Sequence, residues 1–161
     1  QLSANGGQAA LQGEVLALAE RYQVPVTYVD TPASFPLGEA TLAVYPPLTR
    51  GDMNEEGLTV LASCGAVDAL ITGDMAGRTE GLLTAAYDLP DIELLLVGHH
   101  GSGNSTSPAL LEAVKPEVGI ISVGENTFGH PAPEAMDRMA SAGMTLYRTD
   151  LQGNVVVRVH Q

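Results

Sequence analysis

Four apolar residues, Leu94-Leu95-Leu96-Val97, run without interruption into Gly98-His99-His100-Gly101-Ser102 and then into the small-residue loop Gly103-Asn104-Ser105-Thr106-Ser107. The run reads as a buried strand. It delivers two of the chain's four histidines at its carboxyl end, where open α/β sheets place ligand chemistry. Twenty-five residues before His99, a second apolar run, Ala69-Leu70-Ile71-Thr72, ends in Gly73-Asp74. Two consecutive strands that each bring a potential metal ligand to the same sheet edge restrict the architecture to a layered α/β fold. A fold alone does not need those side chains.

Length and composition bound the rest. At 161 residues the chain is expected to form one domain over 1–161 and is long enough to bury a core. With 45% hydrophobic and 16% charged residues it reads as globular, and two Phe and no Trp leave an aliphatic core. Nineteen acidic against seven basic residues give a net charge of -12, which argues against an autonomous nucleic-acid binder unless a metal or a local basic patch intervenes. Cys64 is the only cysteine, so no intrachain disulfide forms, and it is expected as a small buried filler in a strand. No apolar run approaches the roughly 20 residues a membrane span needs, and no signal-peptide pattern is present. The chain starts at Gln1 rather than Met, as expected of a piece of something longer.

Residues 8–22 carry Leu11, Val15, Leu18 and Ala19 at helical spacing and predict a helix. Val26 to Val29 predicts a short strand, with Asp30-Thr31-Pro32 as a turn. Ala40 to Tyr45 predicts another strand, and 49–57 a loop. Leu58 to Ala62 and Val67 to Thr72 predict a strand pair, followed by a helix over Gly77 to Tyr87 with Leu82, Leu83 and Ala86 on one face. The second half alternates more regularly. It has strands at Ile92 to Val97 and Val118 to Val123, and helices at Thr106 to Val114 (N-capped by Ser105 or Thr106) and Pro131 to Ala142. Strands at Met144 to Arg148 and Val155 to Val159 are expected to form a hairpin through Asp150-Leu151-Gln152-Gly153. The mixture favours an α/β sandwich with a mixed sheet.

Three strand ends bear candidate chemistry. Asp74 sits in a turn, where an aspartate also occurs for purely local reasons. Adjacent residues at a strand end point to opposite sides, so one of His99 and His100 can face a site while the other supports it. A carboxylate with imidazole suits zinc, manganese or iron. Ser102 to Ser107 offers hydroxyls and backbone donors at a helix start, fit either for an anion or for simple capping. No phosphate-binding Gly-Lys-Ser/Thr follows, and no Gly-x-Ser-x-Gly elbow marks Ser102 as a nucleophile. The third end, Ser122-Val123-Gly124-Glu125-Asn126-Thr127-Phe128-Gly129-His130-Pro131, brings His130 toward the same edge.

Taken in order, Ile71-Thr72-Gly73-Asp74, Val97-Gly98-His99-His100-Gly101-Ser102, Ile120 to Asn126 with Gly129-His130-Pro131, and Tyr147-Arg148-Thr149-Asp150 resemble the metallo-β-lactamase-like domain of ComEC-type DNA-internalisation competence proteins. Asn54-Glu55-Glu56-Gly57-Leu58 resembles the family's Asn-rich lead into a strand. The resemblance implies a metallo-β-lactamase-like αββα sandwich. It also implies attachment to a polytopic membrane protein that imports single-stranded DNA, a position outside the cytoplasmic membrane, and degradation of the non-transported strand. By the same resemblance, Asp74 is a bridging metal carboxylate with a catalytic role and His99 the final metal ligand, with His100 the less favoured choice. His130 is a catalytic histidine that contacts phosphate or passes a proton, and His100, Ser102 and Asn126 face the substrate.

The family's His-x-Asp-x-Asp-His-type segment, source of most ligands, is nowhere in this chain, and Ala132 replaces a histidine of its Gly-His-Pro-His-Pro-Glu. The chain therefore resembles the second, carboxyl-terminal part of the domain. A catalytic site takes about three protein ligands plus water, and Asp74 with His99 falls short. The expectation is a metal-dependent phosphodiesterase in the complete parent, using zinc or manganese, and weak metal binding with little or no hydrolysis by this chain alone. The alternative is a degenerate or truncated non-catalytic module with a scaffold or interaction role, prone to self-association through an exposed sheet edge.

Overall fold

The computed structural model describes residues 6–50 and 53–159. Helix α1 (Gly6–Arg21) precedes strands β1 (Ala33–Leu37), β2 (Ala40–Tyr45), β3 (Thr59–Cys64) and β4 (Val67–Ile71). Helix α2 (Gly77–Ala86), strand β5 (Leu94–Leu96), a short 3-10 turn (Gly98–Gly101), helix α3 (Pro108–Val114) and strand β6 (Val118–Ile121) follow. Helix α4 (Pro133–Ser141), strand β7 (Thr145–Arg148) and the one-turn helix α5 (Thr149–Gln152) complete the chain. All seven strands form one sheet whose spatial order is the chain order. β1 to β4 pair antiparallel as a meander, and β4 to β7 pair in parallel.

This topology dictates the layering. Each parallel step from β4 to β7 carries a crossover helix and moves in the same direction, so right-handed connections put the helices on one face. The strands record this in alternate residues. Leu70, Leu95 and Ile121 are fully buried with Leu110 and Val114 of α3 and Ala135 and Met139 of α4. Gly119, between them on β6, leaves room for that layer, since a Cβ there would stand 2.7 Å from both Leu146 Cδ2 and Met144 Cε.

Among the described residues the opposite face is only partly covered. Val60, Ile71, Leu96, Ile120 and Tyr147 are paired neighbours in one row across five strands, yet Ile71 is 37% and Tyr147 41% exposed. Helix α1 does not cover it, and its own stripe of Leu11, Val15 and Leu18 is exposed.

Several expectations are corrected. Residues 24–29 form no strand, because β-branched residues hold an extended segment only when a neighbouring strand completes the ladder. The edge strand is instead β1, obscured in the sequence by Pro36, a residue that edge positions tolerate. Asp150 to Gly153 is not a hairpin turn. Thr149 starts α5, its hydroxyl accepting from Val123 N (2.8 Å) and donating to Val123 O (2.7 Å), and 155–159 stays unpaired. On α2 Leu83 is buried, whereas Leu82 points outward. Cys64 ends β3 half-buried as a free thiol.

Candidate active-site edge

The site lies where β4, β5 and β6 end together. After β4 the chain turns through Gly73 to Asp74, and Gly73 O accepts the amide of His99 at 3.0 Å, which ties the first two strand ends. His99 and His100 do not continue β5. Both adopt left-handed backbone, with φ of 48° and 56°, a conformation costing about 1–3 kcal/mol for each non-glycine residue. Gly101 follows at φ 82°, and a Cβ there would lie 2.6 Å from Pro131 Cβ, so the turn is pressed against the start of α4. Ala132 N donates to Gly101 O at 2.8 Å across this contact.

The turn aims the two imidazoles differently. His100 Nδ1 lies 2.7 Å from Ser122 O, and a carbonyl can only accept, so Nδ1 carries the proton. That leaves Nε2 facing Asp74, 4.0 Å from Oδ1. A histidine anchored through one nitrogen to a backbone carbonyl and presenting the other beside a carboxylate has the arrangement of a supported ligand. His99 stands between its neighbours, its ring 6.3 Å from that of His100 and 5.7 Å from that of His130. The structure thus joins Asp74, His99, His100 and His130 at one edge, and it is His100 that faces Asp74.

In the loop 102–107 the amides of Thr106 and Ser107 are already taken from within the protein. Glu80 of α2 is fully buried, and its carboxylate accepts from Thr106 N and Ser107 N, both at 2.6 Å. A carboxylate of the protein itself therefore fills the anion position at the start of α3. Burial raises the Glu80 pKa above its ordinary value, opposed chiefly by the Ser107 amide and hydroxyl, then by the Thr106 amide and the Arg138 charge. From the other side Arg138 of α4 donates to the carbonyls of Thr106 (2.8 Å), Ser105 (2.7 Å) and Gly103 (3.1 Å). The helix cap is Ser107, not Ser105 or Thr106. Ser105 donates to Met75 O, and Thr106 Oγ1 accepts from Gly98 N. Ser102 is buried, with its Oγ accepting from Asn104 N at 3.4 Å.

Asn126, although exposed, is bonded to its own loop. Its Oδ1 accepts from Phe128 N and His130 N, and its Nδ2 donates to Gly124 O and His130 O, all at 2.8–3.1 Å. It shapes the loop that presents His130, whose ring also lies 6.0 Å from that of Phe128. Glu55 braces the Asp74 turn by accepting from Ala76 N at 3.0 Å. Sequence reasoning missed Glu80, Arg138 and Phe128. The one available signal was that Glu80 and Leu83, three apart, share the inward face of α2.

Among the described residues no three His, Cys, Asp or Glu side chains form a group that could hold a metal ion. Asp74 and His100 supply two donors, so these residues alone do not build a catalytic metal centre. No described helix is long and apolar enough to cross a membrane.

No protein-family profile matches the chain. Recombination protein 2 of Haemophilus influenzae is 36% identical over 121 residues, 74% of this chain and 15% of that protein. Competence protein ComA of Neisseria gonorrhoeae is 35% identical over 105 residues, 63% of this chain and 15% of its own length. ComE operon protein 3 of Bacillus subtilis is 27% identical over 106 residues, 65% of this chain and 14% of that protein. The chain thus spans about a seventh of the relatives it matches. Among solved structures, CmlA, a diiron β-hydroxylase from Streptomyces venezuelae, superposes with a TM-score of 0.52 at 14% identity, covering 80% of this chain and 34% of CmlA. A sheet helix-covered on one face, with its donor residues at the strand ends, is part of a metallo-β-lactamase-like domain. Its homologues are competence proteins of the ComEC family, and the chain corresponds to one segment of them.

Proposed function

We propose that this chain is the carboxyl-terminal part of a phosphodiesterase domain in a DNA-uptake protein, acting on DNA outside the cytoplasmic membrane beside a membrane channel. The observation that carries the reading is the meeting of Asp74, His99, His100 and His130 from three consecutive strand ends. Their relatives' names, competence and recombination proteins, support the DNA connection. Asp74 and His100, with His99 beside them, contribute donors to the parent's site. A divalent metal, zinc or manganese, belongs to that completed site and takes its remaining ligands from outside the described residues. His130 is placed to contact phosphate or carry a proton.

The test is metal-dependent nuclease activity of the full-length parent, with and without chelator. Asp74→Ala and His100→Ala should each lower cleavage at least a hundred-fold, about 3 kcal/mol, and His99→Ala should separate its role from that of His100. Undiminished cleavage in all three variants would remove this edge from the reaction. A second reading, a non-catalytic scaffold or interaction module, is favoured by the absence of a three-donor group among the described residues. It predicts no cleavage by the parent under any metal.

A further inference from the structure

The turn that carries Asp74 and the turn that carries His99 and His100 share a support. Thr106 Oγ1 accepts from Gly98 N at 3.1 Å, where the histidine turn begins. Ser105 Oγ donates to Met75 O at 2.9 Å, one residue past Asp74. Asn104 O accepts from Gly77 N at 2.7 Å, at the start of α2, and a Cβ at Gly77 would stand 2.9 Å from Ser107 Cβ. The loop 104–107 is thus tied to both of the turns across which Asp74 and His100 face each other. Fixing this loop fixes the spacing of the pair.

Two side chains from the helix layer fix it. Glu80, fully buried, accepts from Thr106 N and Ser107 N, while Arg138 holds the carbonyls of Gly103, Ser105 and Thr106. The Glu80 carboxylate also lies against the histidine turn itself, since a Cβ at Gly98 would stand 3.5 Å from its Oε1. The start of α3 does not call for this arrangement, because Ser107 already caps it with its own hydroxyl and water or a cap satisfies an ordinary helix start. Burying a carboxylate is unfavourable unless its partners are supplied. Here the loop that spaces Asp74 from His100 supplies them. We infer that Glu80 is a positioning residue for the Asp74–His100 pair, acting through Thr106 and Gly98, with Arg138 holding the same loop by its carbonyls. The inference rests on the catalytic reading of this edge proposed above and adds what holds its geometry: a misplacement of about 1 Å at reacting groups costs up to roughly a hundred-fold in rate.

Thr106→Val keeps the shape of the side chain and removes the acceptor for Gly98 N, whereas Thr106→Ser keeps the acceptor. Glu80→Gln turns an amide N–H toward one of the two backbone N–H groups that the carboxylate accepts from. In the natural chain the bond to Ser122 O places the His100 proton on Nδ1, and heteronuclear NMR of the histidine-labelled chain, at a pH where imidazole is neutral, reads that tautomer. Thr106→Val and Glu80→Gln should each replace it with a mixture of tautomers, and Thr106→Ser should show the natural signals. Leu61→Ala, a core truncation on β3, lowers stability without touching the loop and should leave the His100 signals in place. Unchanged signals in folded Thr106→Val and Glu80→Gln overturn the inference. An equal shift in Leu61→Ala does so too, since the effect would then be one of stability. In the full-length parent, Thr106→Val should lower kcat for metal-dependent cleavage about ten-fold and leave KM little changed. Cleavage at the natural rate despite the altered tautomer rejects the positioning role. An altered tautomer in a parent that cleaves under no metal retains it and rejects the nuclease.

Discussion

Glu80 decides the residue scale, because it replaces a ligand that the sequence invited from outside. Its carboxylate takes the amides of Thr106 and Ser107, and Thr106, a β-branched residue, sits at φ 53°. That conformation persists only when the surroundings over-determine it. Glu80 grips the loop's donors while Arg138 grips its acceptors. The folded pKa of Glu80 is raised, so in the window between its ordinary and raised values the folded chain holds a proton the unfolded chain has lost. Its contribution to stability is therefore fullest in acid, falls as pH rises through the raised value, and is level above it. Glu80→Gln cannot ionise. The stability difference, natural chain minus variant, should decline with rising pH across that window in denaturant titrations. A flat or rising difference would contradict the assignment.

At this scale the meeting of Asp74, His99 and His130 at one edge was legible in the sequence because strand ends announce themselves. It did not show that His100 turns toward Asp74, since two successive left-handed residues override the strand-end alternation expected of neighbours. Nor could it show that Ser102 is buried and that the exposed Asn126 bonds to its own loop, because hydroxyls and amides suit a loop's own backbone as well as any ligand.

Among the elements, the second half was legible and the first less so. From Val67 to Arg148, apolar runs and helical stretches alternate with clear stops, and boundaries moved by only a few residues, whereas the expected hairpin and strand beyond it did not form. Before it, Val26 to Val29 has strand composition without a partner, and β1 has a partner but contains Pro36. Pairing decided both, and pairing is non-local. Packing can be probed on β6. Gly119→Ala introduces a Cβ 2.7 Å from Leu146 and Met144, and should destabilise by about 1–3 kcal/mol. Gly124→Ala, with open space around it, should change stability by less than about 0.5 kcal/mol. Thermal or denaturant unfolding of the pair gives the comparison. Equal effects would mean that Leu146 and Met144 do not close over β6 at Gly119.

Among the described residues the sheet has one helix-covered face and one only partly covered. Contiguous apolar surface of this kind marks an interaction site or an aggregation liability. The isolated chain is expected to self-associate at micromolar concentration, seen as a concentration-dependent sedimentation coefficient. Leu96→Lys, at a half-buried position in the middle of that row, should abolish this and leave the fold intact. Sedimentation as a monomer at every concentration, or unchanged association in the variant, would refute it.

The agreement between strand order in space and strand order along the chain bears on how the site comes into being. Each strand docks beside the one made just before it, so no early strand has to wait for a late partner or be threaded between two others. The hairpin steps β1–β2 and β3–β4 join near neighbours in sequence, whereas each parallel step from β4 to β7 pairs residues about 25 positions apart and forms more slowly, and synthesis proceeds from the amino end. The carboxylate turn is then in place first, the paired imidazoles settle against it, and the loop carrying His130 closes the edge last.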